Sequence, residues 1–214
     1  MHCIVTAGPT YEPIDQVRRL TNHSTGRLGT GLAKRLAADG HEVTLLRGRL
    51  ATHNECLEGI DLQEFKTTTD LAEKLERLAK ADAVFHAAAV SDFAAGQAFR
   101  RADDGHLEPL HQGKLGTRGG ELLLELKPTP KLIARLRDWF AAAVLIGWKY
   151  EVDGDRDAAL GQGQAQISEN RTNGCVVNGP AYGDGFGWQD SDDQAEHLPG
   201  QAALFEKLAT LAKP

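Results

Sequence analysis

Val5-Thr6-Ala7-Gly8-Pro9-Thr10 leads, after a polar stretch, into Arg18-Arg19-Leu20-Thr21-Asn22-His23-Ser24-Thr25-Gly26-Arg27-Leu28-Gly29. His2 to Ala7 is a short, β-branched run ended by Gly-Pro, and it reads as a buried strand. Gly8, Pro9 and Pro13 predict an irregular loop through Asn22. Ser24 or Thr25 can then cap a helix reaching about Asp39. On it Leu28, Leu32 and Leu36 fall at i, i+4 and i+8 and make one apolar face, with Ala33 and Ala37 permitting close packing beside it. Gly40 suits a left-handed stop, and His41 to Leu46 is the next strand. This strand–helix–strand unit opens a Rossmann-like α/β fold, a mostly parallel sheet with helices on both faces.

The rest of the chain continues the alternation. Residues 47–62 read as loop, and Glu64-Phe65-Lys66 as a short strand. Asp70 with Glu73 forms a capping-box pattern before a helix carrying Leu71, Leu75 and Leu78. Ala83 to Val90 reads as a strand, and it ends in Ser91-Asp92-Phe93. Residues 94–126 differ in character and predict an inserted hairpin or flap, including Gln112-Gly113-Lys114-Leu115-Gly116-Thr117. Thr129 and Pro130 predict the cap and first position of a helix whose inner face is Leu132, Ile133, Leu136 and Phe140. Strands are expected within Ala142 to Tyr150 and at Gly174 to Asn178. Residues 152–171 are polar and weakly helical, Gly179 to Asp193 reads as loop, and residues 201–212 make a closing amphipathic helix. The expectation is one α/β domain over residues 1–214, with the flap as its insertion.

Composition narrows the function classes. A net charge of −6 weighs against a nucleic-acid binder, which would show a basic face. No apolar run approaches the ~20 residues a membrane span requires. The N-terminus enters a strand without a signal-peptide pattern, so a cytoplasmic location is expected. Cys3, Cys56 and Cys175 show neither metal-ligand spacing nor a disulfide framework, and read as small buried hydrophobes.

The helix mouth carries the first chemical signal. Unpaired N–H groups at a helix N-terminus favour an anion, and Asn22 and Ser24 add polar side chains there. Gly26, Gly29 and Gly31 equally suit tight packing of helix on sheet, and both readings stand. As a dinucleotide fingerprint they lie too far past the first strand, and Leu46-Arg47-Gly48 supplies no acid for a ribose, which weighs against an NAD(P)-dependent oxidoreductase. Asp92 at a strand end could accept from a ribose or metal, or cap a turn. Lys114 between glycines could be a mobile cation or a solvated surface residue. Trp148 could stack on a base or pack in the core. Of Arg18 and Arg19, one can reach an anion.

These motifs together resemble the phosphopantothenoylcysteine synthetase family, whose bacterial form is often the C-terminal half of a bifunctional flavoprotein. The likeness runs through Val5 to Asp15, Val17 to Gly29, Ala87 to Phe93, Gly113-Lys114-Leu115, Pro128 to Ile133, Gly147-Trp148-Lys149 and Val176-Val177-Asn178. The resemblance implies a ligase of coenzyme A synthesis. It would activate 4′-phosphopantothenate with CTP, or with ATP, as an acyl-nucleotide, then couple it to cysteine. Mg²⁺ is implied as cofactor, with unknown protein ligands, and no flavin. A homodimer is implied, along with a separate phosphopantothenoylcysteine decarboxylase, but no nucleic acid and no membrane. By position, Gly8, Ser24, Gly26, Gly29 and Asn178 would hold phosphopantothenate. Asn22, Arg18 and Lys114 would be catalytic. Ala87, Ala88, Asp92, Lys114, Pro130, Lys131, Leu132, Ile133 and Trp148 would bind the nucleotide. The chain departs from the family's pattern at Gln166 and Asn170, where lysines that grip the triphosphate are expected, and in a flap with fewer lysines. A relative that binds these ligands without catalysis is the alternative.

Overall fold

The structure is a computed structural model that describes residues 1–111, 113–116, 120–191 and 194–212. In chain order, β1 (His2–Ala7) leads to the short strands β2 (Tyr11–Pro13) and β3 (Arg19–Thr21), then α1 (Arg27–Ala38) and β4 (Glu42–Gly48). Next come β5 (Asp61–Phe65), α2 (Thr68–Arg77) and β6 (Ala83–His86). The insertion supplies β7 (Phe93–Arg101), β8 (Leu107–Leu110) and β9 (Leu122–Pro128). After it follow α3 (Ile133–Trp139), β10 (Val144–Tyr150), α4 (Arg156–Asn170) and β11 (Gly174–Asn178). The chain closes with β12 (Phe186–Asp190), β13 (Glu196–Leu198) and α5 (Gln201–Leu211).

The main sheet has eight strands in the order β13-β12-β11-β10-β6-β1-β4-β5. The six from β11 to β5 are mutually parallel, while β12 and β13 add antiparallel pairs at one edge. Alternate side chains of each strand feed opposite faces. Val5, Leu45, Phe85 and Val176 pack with Leu32 and Leu36 of α1 and Leu204 and Leu208 of α5. Ile4, Leu46, Val84 and Leu145 pack on the other face with Leu71 and Leu75 of α2 and Leu136 of α3. Ala159 and Ile167 of α4 extend that face over Cys175 and Val177. Helices therefore cover both faces, as a parallel sheet requires. The strand order reverses between β1 and β6, and ligands of such sheets bind at the carboxyl edge near that point.

Several local expectations are corrected. The opening loop contains the β2–β3 hairpin, because Asp15 accepts from the N–H of Val17 (2.9 Å) and Arg18 (2.8 Å) and closes a turn. Gly26, at φ 78°, is the N-cap of α1, without a side-chain cap. Thr67 caps α2 by accepting from the Asp70 N–H, so the Asp70/Glu73 capping box does not form. β6 stops at His86, since the next residues hydrogen-bond to the loop after β1 instead of to a strand. Thr129 is drawn away from the α3 cap by donating its hydroxyl to the Ser91 carbonyl, and α3 starts at Ile133. Phe186 to Asp190 is a strand, not loop, with Trp188 buried against α5 residues. Cys3 and Cys175 are buried and burial pushes their thiols up to about 11 and about 12, but Cys56 is exposed. The flap is a three-stranded antiparallel sheet in the order β8-β7-β9. Gln112 and residues 117–119 of the predicted flap lie outside the described residues.

Candidate active site

At the carboxyl edge, the loops after β1 and β6 are tied together. The Ala89 N–H donates to the Gly8 carbonyl (3.0 Å), and the Thr10 N–H donates to the Ala89 carbonyl (3.1 Å). Pro9 and Ala89 form a parallel bridge. This seam bridges β1 and β6 at the point where the strand order reverses. It divides the edge into two regions. Asn22 stands on the seam, its Nδ2 donating to the carbonyls of Ala89 (3.3 Å) and Val90 (3.2 Å).

On one side lie Gly8, Gly26 and the start of α1. Gly8 and Gly26 both have left-handed φ, 79° and 78°. A Cβ on Gly8 would come 2.8 Å from the Ala51 Cβ, and one on Gly26 would come 3.0 Å from that same atom. Two backbones thus meet against one alanine, which leaves main-chain N–H groups bare of side chains at a helix mouth. Gly29 differs: a Cβ there would sit 2.6 Å from the Ala7 Cβ and 2.9 Å from the Thr6 carbonyl, so its first task is packing α1 on β1. The packing reading of the glycine run holds at Gly29. Ser24 lies beside this region, its N–H donating to the Asn22 carbonyl (3.0 Å).

On the other side, over β6 and β10, is a cavity of about 300 Å³. Seven of the expected nucleotide residues line it: Ala88, Asp92, Pro130, Lys131, Leu132, Ile133 and Trp148. The insertion's two feet bring Asp92 and Pro130 together, because Phe93 pairs with Pro128 and the Thr129 N–H donates to the Asp92 carbonyl (2.9 Å). Ala87 is not part of the lining; its N–H donates to the Phe85 carbonyl (3.2 Å). His86, Val90, Ser91, Lys149, Tyr150, Glu151 and Gln166 complete the wall, none of them among the site residues expected from sequence.

The cavity's charges are already matched. Lys131 pairs with Asp92, and the Lys149 Nζ lies 3.7 Å from Glu151. Gln166 is buried; its Nε2 donates to the Trp148 carbonyl (3.1 Å), and its Oε1 accepts from the Cys175 thiol (3.2 Å). Asn170 donates to the Gln166 carbonyl (2.9 Å). Both residues at the expected lysine positions are therefore engaged inside the protein. The indole Nε1 of Trp148 is enclosed without a partner among the described residues. No group of three or more His, Cys, Asp or Glu among the described residues could hold a metal.

Arg18 and Lys114 meet at the hairpin instead of in the cavity. The Arg18 guanidinium donates to Asp15 (2.7 Å) and to the Leu115 carbonyl (3.0 Å). Asp15, with only 2% of its side chain exposed, also accepts from the Leu115 N–H (3.1 Å). The Gln16 N–H donates to the Gly113 carbonyl (3.0 Å). Burial raises the Asp15 carboxyl's pKa, but the N–H groups of Val17, Leu115 and Arg18 and the Arg18 charge outweigh it and hold it below the usual range. Arg18 and Asp15 thus tie the hairpin to the segment that carries Lys114. Asn178 also falls away from the glycine region. It ends β11, beside Tyr150 and Glu151, with β10 and β6 between its strand and β1. Three strand spacings of about 4.8 Å put it roughly 14 Å from Gly8 across the sheet. Asp15 had a sequence signal, an Asx turn, whereas nothing in the Phe85-His86-Ala87 run marks His86 as a cavity residue.

Comparison with known proteins places the chain in a family. Residues 1–202 match the DNA/pantothenate metabolism flavoprotein C-terminal domain. The coenzyme A biosynthesis bifunctional protein of Thermococcus kodakarensis is 31% identical over 82% of this chain and 40% of its own length. That of Escherichia coli K12 is 27% identical over 92% of the chain and 45% of its length. The chain thus spans less than half the length of these curated relatives. The crystal structure of the DNA/pantothenate metabolism flavoprotein from Streptococcus pneumoniae superposes with a TM-score of 0.87 at 26% identity, covering 98% of this chain and 97% of that one. With its eight-stranded sheet and its divided carboxyl edge, the chain belongs to the DNA/pantothenate metabolism flavoprotein C-terminal domain family.

Proposed function

We propose that this chain is a phosphopantothenate–cysteine ligase. The observation that carries the proposal is Asn22 on the seam between a glycine-built anion region and a separate, charge-bearing cavity. A two-step ligation needs two ligands whose reacting ends meet at one point. Phosphopantothenate lies with its phosphate at Gly8, Ser24, Gly26 and the α1 mouth, and its carboxylate at Asn22. The nucleotide, CTP or ATP, lies in the cavity against Ala88, Asp92, Pro130 to Ile133 and Trp148. The carboxylate oxygen attacks the α-phosphorus, and pyrophosphate leaves. The cysteine amine then attacks the activated carbonyl, the nucleoside monophosphate leaves, and the amine's proton goes to solvent. Asn22 polarises the acyl carbonyl, and Lys114, held near by Asp15 and Arg18, offsets charge in the second step.

Mg²⁺ travels with the nucleotide's phosphates, since the described residues build no cage for it and such ions commonly keep few protein ligands. The exposed Phe93, Leu107, Leu122 and Leu126 of the β7–β9 sheet support a homodimer through that sheet. The decarboxylation step belongs to a separate catalytic unit, and the reaction is placed in the cytoplasm.

A second reading has its own support. Each lysine lining the cavity is already paired with an acid, and Gln166 and Asn170, where the resemblance implies lysines, are engaged in hydrogen bonds of their own. A chain that binds the ligands without turnover fits that matching. Pyrophosphate release, measured with each of the four nucleoside triphosphates plus Mg²⁺, phosphopantothenate and cysteine, separates the two. Release with CTP or ATP supports the ligase. Binding without release supports the second reading.

A further inference from the structure

His86 ends β6 at the floor of the cavity, 6% exposed, and the proposed reaction gives it no task. Its Nδ1 lies 3.0 Å from the Thr6 hydroxyl on the neighbouring strand. That hydroxyl accepts from the Ala88 N–H (3.0 Å) and, being fully buried, must give its own proton to an acceptor. Among the described residues the one acceptor within reach is Nδ1. Thr6 therefore donates to Nδ1, and the ring proton sits on Nε2. Burial disfavours the imidazolium and lowers the pKa to about 4, so the ring is neutral at pH 7. Among the described residues Nε2 has no partner, and it is not one of the enclosed unpartnered atoms, so it opens into the cavity that His86 lines.

The surroundings decide what such a donor would meet. Ala88, Val90, Leu132 and Ile133 make apolar walls around it. The cations stand at the rim, with the Lys131 and Lys149 side chains 68% and 32% exposed. A triphosphate needs those cations, whereas a flat heterocycle suits apolar walls with one neutral donor.

We propose that His86 recognises the nucleobase, its Nε2–H donating to a ring-nitrogen or carbonyl acceptor, with Thr6 holding the tautomer. This assignment rests on the nucleotide occupying the cavity. It is tested by calorimetric titration of the whole chain with CTP, with ATP and with inorganic tripolyphosphate, each with Mg²⁺ and without phosphopantothenate. His86→Phe removes the donor and should weaken the preferred nucleoside triphosphate about five- to tenfold, the worth of one ordinary hydrogen bond. His86→Gln keeps an N–H near the Nε2 position and should stay within about twofold of the parent. Thr6→Val leaves the ring in place but frees its tautomer, and should give an intermediate loss. Tripolyphosphate binding should be the same in all. Unchanged nucleotide affinity in both His86→Phe and Thr6→Val overturns the assignment, as does a parallel loss of tripolyphosphate. A parent chain that binds no nucleotide overturns the proposed ligase function and this assignment with it. Binding by the parent that the variants leave unmoved overturns the assignment alone.

Discussion

The two sides of the seam are built by opposite means. The α1 side is made of missing side chains: Gly8 and Gly26 at left-handed φ, packed against one another and Ala51. The β6–β10 side is made of side chains supplied by β6, the feet of the insertion, α3, β10 and α4. A glycine-built region can offer only main-chain N–H groups, which suit a phosphate and tolerate no substitution. A side-chain-built cavity can change its residues and keep its shape, and Gln166 stands in its wall where the resemblance implies a lysine. Asn22 belongs to neither side and ties both through the carbonyls of Ala89 and Val90.

The largest effect should come from the seam. Asn22→Asp replaces an N–H donor with a carboxylate against two carbonyls and the substrate's own carboxylate. Pyrophosphate release should fall about 10²–10³-fold with the fold intact, since loss of one preorganised donor costs that much. A variant with parental turnover would remove Asn22 from the reaction. Next is the glycine side. Gly8→Ala should lower stability by about 2–4 kcal/mol, combining a left-handed backbone with overpacking on Ala51. In chemical denaturation, adding Ala51→Gly should recover the steric part and leave about 1–2 kcal/mol. If the double variant gains nothing, Ala51 is not what confines Gly8.

The side-chain region has a pH signature. The ring of His86 is neutral when folded down to about pH 4, while the unfolded chain takes up the proton near the ordinary value of 6.5. The unfolded state therefore binds more protons between those values, and stability falls as pH drops through that window, by about 3 kcal/mol in all. His86→Gln should flatten that part of the stability–pH curve, and an unchanged slope would place the titration elsewhere. The smallest effect concerns the hairpin latch. The Asp15 carboxyl is held below 3.8, so its contribution is present above that value and is lost as pH falls through the lower folded one. At neutral pH, Asp15→Ala should speed amide exchange at Leu115 without altering exchange in β1. Equal exchange at Leu115 would mean that Gln16 and Arg18 hold the segment unaided.

The parallel scaffold was legible because its signals are local: β-branched runs, leucines at helical spacing, Gly40 as a stop. What escaped was set by neighbours distant in sequence. Thr129 has a capping side chain, but the Ser91 carbonyl claims it, and α3 begins later. Phe186 to Asp190 sits among glycines, and it becomes a strand because β11 offers an unpaired edge. Most residues that the resemblance assigns to the nucleotide line one cavity, whereas Asn178 ends a strand that two others separate from β1. Arg18, catalytic by the resemblance, has its guanidinium held by Asp15 and the Leu115 carbonyl, a tie that no local pattern announces.

By itself, then, the order of residues determined the alternation of strands and helices, the left-handed glycines and the polar mouth of α1. Each depends on a residue's own backbone freedom or on neighbours within a few positions. Tertiary structure alone decided the seam between Gly8 and Ala89, the matched charges of the cavity and the tautomer of His86. Those depend on which strands lie side by side, as when β1 beside β6 sets the Thr6 hydroxyl on the His86 ring.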